Sequence, residues 1–245
     1  MLEIEFFIEN SEEEGFKRVE KWTEASLHRW QTIMNISAER LRVRDHEADE
    51  LSHYSSKTVD IEYKYPRWWW ELQWIAYRTD FDLKAHQEYS GQSMQYTDPL
   101  SGKRYIPHVV EPSFWLSRMF LTMMFDAYCE EQYTDGNWRE QTRVVAKFPK
   151  EIAPVRAAIL PVVKKDEELV RMWHELYGQL SEHFIVEYDE WWAIGKRYRR
   201  QDEIGTPFCI TLDSQTKEDN TVTVRDRDSM EQQRVPLSDI LAYLQ

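Results

Sequence analysis

Glycine is scarce in this chain, with 7 in 245 residues, about 3% where ~7% is usual. Cysteine is scarcer still: Cys129 and Cys209 stand far apart in the sequence. That spacing excludes a cysteine metal knuckle or a redox pair, and so few thiols point to a reduced, cytosolic protein. Long apolar runs are missing. None approaches the roughly 18 residues of a bilayer-spanning helix, so no membrane partner is expected. The opening MLEIEFFIENSEEEG is acidic and amphipathic, unlike a signal peptide. Positive charge is in deficit, 31 Lys and Arg against 44 Asp and Glu for a net of −13. A surface coated in positive charge is thereby excluded, but not a local basic patch. The seven histidines show neither HxxxH nor HxH spacing, so no metal site is expected. What remains is a globular composition, 42% hydrophobic and 31% charged, with eleven tryptophans, a great excess for so rare a residue.

The length suits one large domain or two ordinary ones. Leu2 to Ile8 alternates apolar and acidic residues as a strand with one wet face. Ser11 followed by three glutamates predicts an N-cap and a helix running to about Ile36. Thr58–Tyr65 and Tyr105–Val110 read as strands and Ser117–Gln132 as a helix, and Thr134–Asn137 reads as an exposed turn. Two prolines in KFPKEIAP mark a boundary near 148. Beyond it, VRAAILPVV, FIVEY, FCITLD and TVTVRDRD read as strands. Helices are expected at Asp166–His183, Ala193–Ile204 and Ser238–Leu244. The expected fold is therefore α+β, a strand-rich first part followed by a small α/β domain with a mixed sheet.

Three local features bear on chemistry. GKRYRRQDEIG places Lys196, Arg197, Arg199 and Arg200 in five positions, with Tyr198 available to stack on a base. The same run serves equally as a solvated helix face balanced by Asp202 and Glu203. In VVEPSFWLSR a strand delivers Glu111 and Ser113, suited to an ammonium group, ahead of Arg118, suited to a phosphate. Such strand-to-helix turns are more often structural. Trp68, Trp69, Trp70 and Trp74 flank Glu71, a pattern that usually belongs to a core.

GKRYRRQDEIGTPFCITLD, TVTVRDRDSMEQQRVPL and IAPVRAAILPVVKKD resemble the anticodon-binding domain of the homodimeric glycyl-tRNA synthetases. LEIEFF, LRVRDHEADELSHYSSKTVDIEY, ELQWIAYRTDFDLKAH and YIPHVVEPS extend the resemblance over essentially the whole chain. It implies residues 1–147 as the second half of a class II catalytic domain, an antiparallel sheet with helices, and 148–245 as the anticodon-binding domain. The implied reaction joins glycine and ATP, with Mg2+, into glycyl-adenylate and then passes glycine to tRNA(Gly). By the same resemblance, Glu3, Arg78, Glu111 and Ser113 bind glycine, while Glu71, Leu72, Trp115 and Arg118 bind ATP. Arg118 matches the arginine of the third class II motif, and the cationic run Lys196, Arg197, Arg199 and Arg200 is expected to face tRNA. The first two class II motifs, one building the family's dimer interface and the other gripping the ATP α-phosphate, have no counterpart here. The chain alone is expected to be inactive. The competing reading is a noncatalytic, synthetase-like accessory protein that holds RNA or protein.

The family carries glycine where this chain has Trp68, Trp70, Trp74, Trp115 and Trp192. Glycine serves where backbone approaches a ligand or adopts positive φ, and indoles at the first four sites are expected to occupy substrate space. A gene that reads UGA as glycine, translated by a code that reads it as tryptophan, would leave this pattern. Trp138, Trp173 and Trp191 are further candidates.

Overall fold

The computed structural model describes residues 1–134, 138–163 and 165–245. Most of the turn expected at Thr134–Asn137 lies outside the described residues. The chain forms two compact units, Met1–Phe125 and Asp126–Gln245.

In the first unit, strands β1 (Leu2–Glu3) and β2 (Phe6–Ile8) replace the single opening strand expected. Helix α1 (Glu12–Thr32) follows, and Ser11 Oγ caps it by accepting from Glu14 N at 3.3 Å. Next come β3 (Leu41–Asp45), β4 (Lys57–Lys64), β5 (Trp69–Thr79), α2 (Phe81–Ser90) and the small ladder β6 (Tyr96–Thr97) and β7 (Arg104–Tyr105). The series ends with β8 (His108–Phe114) and α3 (Leu116–Ala127). The main sheet is antiparallel, in the order β1-β8-β5-β4-β3, with β2 also on β8. Helix α1 turns Gly15, Val19, Ser26 and Trp30 onto one face of it, over Ile61, Ile75, Tyr77 and Val110. Gly15 is required for this approach, because a Cβ there would collide with the Tyr77 ring. Gln73 accepts from Trp30 Nε1 at 3.3 Å and donates to Ser26 Oγ at 2.8 Å, satisfying buried polar groups at the seam.

Asp126 opens the second unit, ahead of the boundary expected near 148, because hairpin β9 (Tyr128–Thr134) and β10 (Glu140–Ala146) packs within it. The helix expected through Gln132 stops at Ala127. YCEEQYT alternates exposed and half-buried residues, a period of two that suits a ladder with β10 rather than a helix. Then follow β11 (Ala157–Ile159), α4 (Glu167–Ser181), β12 (Val186–Tyr188), α5 (Ile194–Ile204), β13 (Phe208–Thr211), α6 (Ser214–Asp219), β14 (Thr221–Asp226), β15 (Gln232–Pro236) and α7 (Ile240–Leu244). The sheet order is β12-β11-β13-β14-β15, parallel around β11 and antiparallel beyond β13. Strand β11 is buried on both faces, Ala157 and Ile159 against α4's side and Ala158 against α5's, which is why it reads as an unbroken apolar run. The unit is closed by charge as well. Buried Asp202 accepts from Arg225 at 2.8 Å and from Arg143 at 3.3 Å, while Arg227 donates to the carbonyls of Ala146, Phe148 and Gly205.

Trp138 (φ 60°) and Trp192 (φ 72°) lie in the left-handed region that favours glycine. Trp68, Trp70, Trp74 and Trp115 do not.

Candidate active site

The face of the first sheet opposite α1 gathers the charged residues. Antiparallel register sets Trp74 across from both Asp60 and Ser113, Ala76 across from Glu111, and Glu3 across from Ser113. Glu71 joins this face by an irregularity. A register shift beside Ile61 and Glu62 leaves Leu72 unmatched, so parity flips and Glu71 pairs with Glu62. Leu72 itself is fully buried and presents only backbone, its carbonyl accepting from Trp115 N at 3.2 Å.

Two clusters result. In the first, Glu111 is almost fully buried, accepts from Ser113 Oγ at 2.6 Å and forms an ion pair with Arg78. Arg78 also donates to Asp82 at 2.8 Å and stacks on Tyr54, its centre 4.1 Å from the ring centroid. The hydrogen bonds to Asp82 and Glu111 hold its charge more firmly than usual. Burial, and then the charge of Glu111, raise the Glu5 carboxyl above its usual pKa, with Asp82 and Glu3 adding to the effect. One arginine therefore faces four carboxylates, Glu3, Glu5, Asp82 and Glu111, a surplus of negative charge suited to an ammonium group.

In the second cluster, Arg118 donates to the Glu71 carbonyl at 2.9 Å. Its guanidinium lies between the rings of Trp70 (4.5 Å) and Trp115 (4.7 Å). Trp115 Nε1 donates to Glu71 Oε1 at 2.8 Å. Burial raises the Glu71 pKa, opposed by that indole hydrogen bond. The Trp74 and Trp115 rings, 5.6 Å apart, lie at the junction of the two clusters. The fold thus accommodates these indoles without burying them all. Trp68 and Trp70 remain exposed.

A third set of charges escaped sequence reasoning. Asp60 accepts from Arg44 at 2.9 Å and contacts His46 Nε2 at 2.8 Å, and Arg42 pairs with Glu62. Alternate positions in LRVRD and TVDIEY were the available signal, but only strand pairing tells which face meets Glu71.

In the second unit, the cationic run divides. Ile194, Arg197, Tyr198 and Gln201 share the inner stripe of α5, so Arg197 is 4% exposed and donates to the carbonyls of Pro161 and Asp189. Tyr198 is buried as well, which overturns its expected role as a base-stacking platform. Arg199 pairs with Asp202 at 3.0 Å and Arg200 with Asp189, leaving Lys196 as the exposed cation of the four. Its Nζ lies 5.0 Å from the Trp192 ring.

Residues 156–245 match the family described as anticodon binding domain. A glycine–tRNA ligase of Geobacillus thermodenitrificans (strain NG80-2) is 47% identical over 243 residues, 99% of this chain and 50% of its own length. One from Staphylococcus aureus (strain JH9) is 49% identical over 244 residues, again 99% and 50%. Among solved structures, prolyl-tRNA synthetase from Cryptosporidium parvum, complexed with L-proline and AMP, gives a TM-score of 0.66 at 16% identity, covering 96% of this chain and 47% of that one. The fold is that of the class II synthetases. The chain spans about half the length of the curated relatives it matches.

Proposed function

The chain is a half-length relative of the glycine–tRNA ligases, and from that premise we propose that it supplies the amino-acid site and the tRNA-binding unit of such an enzyme. The observation that carries the reading is the acidic cluster around Glu111 lying on the same sheet face as the Arg118–Glu71 pair. Glu111 and Ser113 hold the glycine ammonium, Arg78 fixes Glu111, and Glu3 walls the pocket. Arg118 binds the ATP phosphates, and Glu71, the Leu72 backbone and Trp115 border the nucleotide, which arrives with Mg2+. A glycine carboxylate oxygen then attacks the α-phosphorus, pyrophosphate leaves, and the adenylate hands glycine to tRNA(Gly). Developing phosphate charge needs more cations than Arg118 alone, so activity requires the half of the enzyme not covered here, and the whole works as a cytoplasmic homodimer. In the second unit Lys196, with the outer faces of Arg199 and Arg200, meets tRNA. Arg197 is structural.

The test is ATP–pyrophosphate exchange by this chain mixed with the complementary half of the S. aureus ligase. Exchange should depend on glycine and be lost in Glu111→Gln and Arg118→Ala. Exchange that survives Glu111→Gln would refute the assignment of the ammonium site.

A further inference from the structure

Arg78 reaches Glu111 from an irregular point of β5. Pairing with β8 runs from Gln73 opposite Phe114 to Tyr77 opposite Val110 and then slips, so that Thr79 rather than Arg78 stands opposite Val109. Arg78 is thus the extra residue of a bulge, a device that bends a strand and re-aims one side chain. Thr79 carries the strain. Its φ is 57°, and it is the one β-branched residue in the left-handed region among the described residues. Two heavy atoms on Cβ make that conformation a genuine outlier. Such strain persists only where the surroundings over-determine it, characteristically at ligand sites.

The surroundings can be named. From the segment 46–56 between β3 and β4, Tyr54 holds the Arg78 guanidinium 4.1 Å from its ring centroid, closer than Arg118 lies to Trp70 at 4.5 Å. His53 meets Tyr54 edge-on at 5.2 Å and Phe81 at 5.2 Å, which braces the Tyr54 ring on the first residue of α2. Ser56 N and Ser55 Oγ donate to the Tyr77 carbonyl at 2.9 and 3.3 Å, tying the same segment to the peptide bond that enters Arg78. Asp82 accepts from Arg78 Nε at 2.8 Å, leaving Nη1 for Glu111. The guanidinium is therefore fixed on one face and two edges. A planar fork held in this way loses little freedom when a ligand arrives.

Resting on the functional reading above, we propose that Thr79 and Tyr54 are positioning residues of the ammonium site. The left-handed turn at Thr79 aims Arg78, and the Tyr54 ring holds its plane, so that Glu111 stands fixed for the substrate amine. Both act through Arg78 and neither touches glycine. Thr79→Gly separates this role from a purely structural one. Glycine relieves the strained φ, so the fold should hold or gain stability while the site loosens. A residue needed only for the fold would lose both together.

The experiment follows the Arg78 Nε–Hε resonance of the full chain by NMR, assigned as the signal missing from Arg78→Lys. It should be shifted upfield by the Tyr54 ring and exchange slowly with water. Tyr54→Leu should abolish the ring shift and Tyr54→Phe should keep it. Thr79→Gly should speed the exchange while the urea midpoint holds or rises. Glycine binding is read separately, by saturation transfer to the glycine methylene protons. Tyr54→Leu and Thr79→Gly should each bind glycine about fivefold more weakly, the worth of one partly buried cation–ring contact, and Tyr54→Phe should bind as the unsubstituted chain does. The series is repeated in the Trp74→Gly, Trp115→Gly background, so that an obstructing indole is not mistaken for an absent site. Glycine affinity unchanged in Tyr54→Leu and Thr79→Gly, or a midpoint that falls with affinity in Thr79→Gly, would overturn the proposal. The two failures are distinct. No glycine binding in either background condemns the functional reading, whereas binding indifferent to residues 54 and 79 condemns their positioning role alone.

Discussion

Replacing Trp192 with glycine should do the opposite of what the same change does in regular structure. Trp192 holds φ at 72°, 71% exposed, just ahead of α5. A side chain in the left-handed region costs roughly 1–2 kcal/mol, which only glycine escapes. Glycine in turn loses about 0.4–1 kcal/mol through its freer unfolded chain. Contact with Lys196 over the indole is worth about 0.5–1 kcal/mol at an exposed site, and any truncation removes it. Comparing Trp192→Gly with Trp192→Ala cancels that loss and isolates the backbone. The glycine variant should be the more stable by about 0.5–1 kcal/mol, the balance of those terms. With a urea slope of about 2 kcal/mol/M, its midpoint lies some ~0.3–0.5 M higher. At Trp70, in a strand with ordinary φ, the order should invert, with alanine ahead by about 0.5–1 kcal/mol. Far-UV circular dichroism in urea, on all four variants, makes the measurement. Alanine equal to or above glycine at 192 would refute the argument that this position is built for glycine.

The genetic counterpart is direct: the codons for Trp68, Trp70, Trp74, Trp115 and Trp192 should be UGA, and UGG at these positions would dismiss recoding. Substituting Trp74→Gly and Trp115→Gly together should open the junction of the two clusters and raise glycine-dependent exchange in the assembled halves. Unchanged or lower exchange would show that the indoles do not obstruct the site. Asp202→Asn leaves Arg225 buried without its counter-charge and Arg143 with Glu131 alone and should cost about 3–5 kcal/mol of stability, read as a fall in the urea midpoint of the second unit. His108, its ring on the Tyr77 hydroxyl, is pushed below its usual pKa of 6.5 by burial. The unfolded chain therefore binds the proton more readily than the folded one, so this contribution to stability is present above pH 6.5 and lost as pH falls through the depressed pKa. His108→Gln should flatten the urea midpoint between about pH 5 and pH 7, and an undiminished pH slope would assign the effect elsewhere.

Local signals were legible where they were local. Ser11 with its glutamates located α1, and alternation located β4 and β14, because caps and periodicity act over a few residues. The apolar run from Ser117 read as helix too far, since nothing in YCEEQYT announces the partner strand β10 that captures it. Glu111 and Ser113 could be put on one face of a strand by spacing alone. Glu71 could not, because its face depends on a register shift against β4. The cationic run on α5 looked uniform in charge, yet its i, i+3, i+4, i+7 stripe with Ile194 already implied that Arg197 and Tyr198 turn inward. Asp60 and Glu62 on β4 and Arg42 and Arg44 on β3 come from two separate stretches of chain and are visible only once the sheet is formed.

We propose that this chain chooses glycine and presents tRNA for one ligase. Its most direct test is charging of tRNA(Gly) with radiolabelled glycine by the chain assembled with the complementary half of the S. aureus enzyme. Glycyl-tRNA(Gly) is expected from the assembly, none from either half alone, and no charged tRNA when alanine replaces glycine. An assembled complex that charges no tRNA, or that charges tRNA(Gly) equally well with alanine, would contradict it.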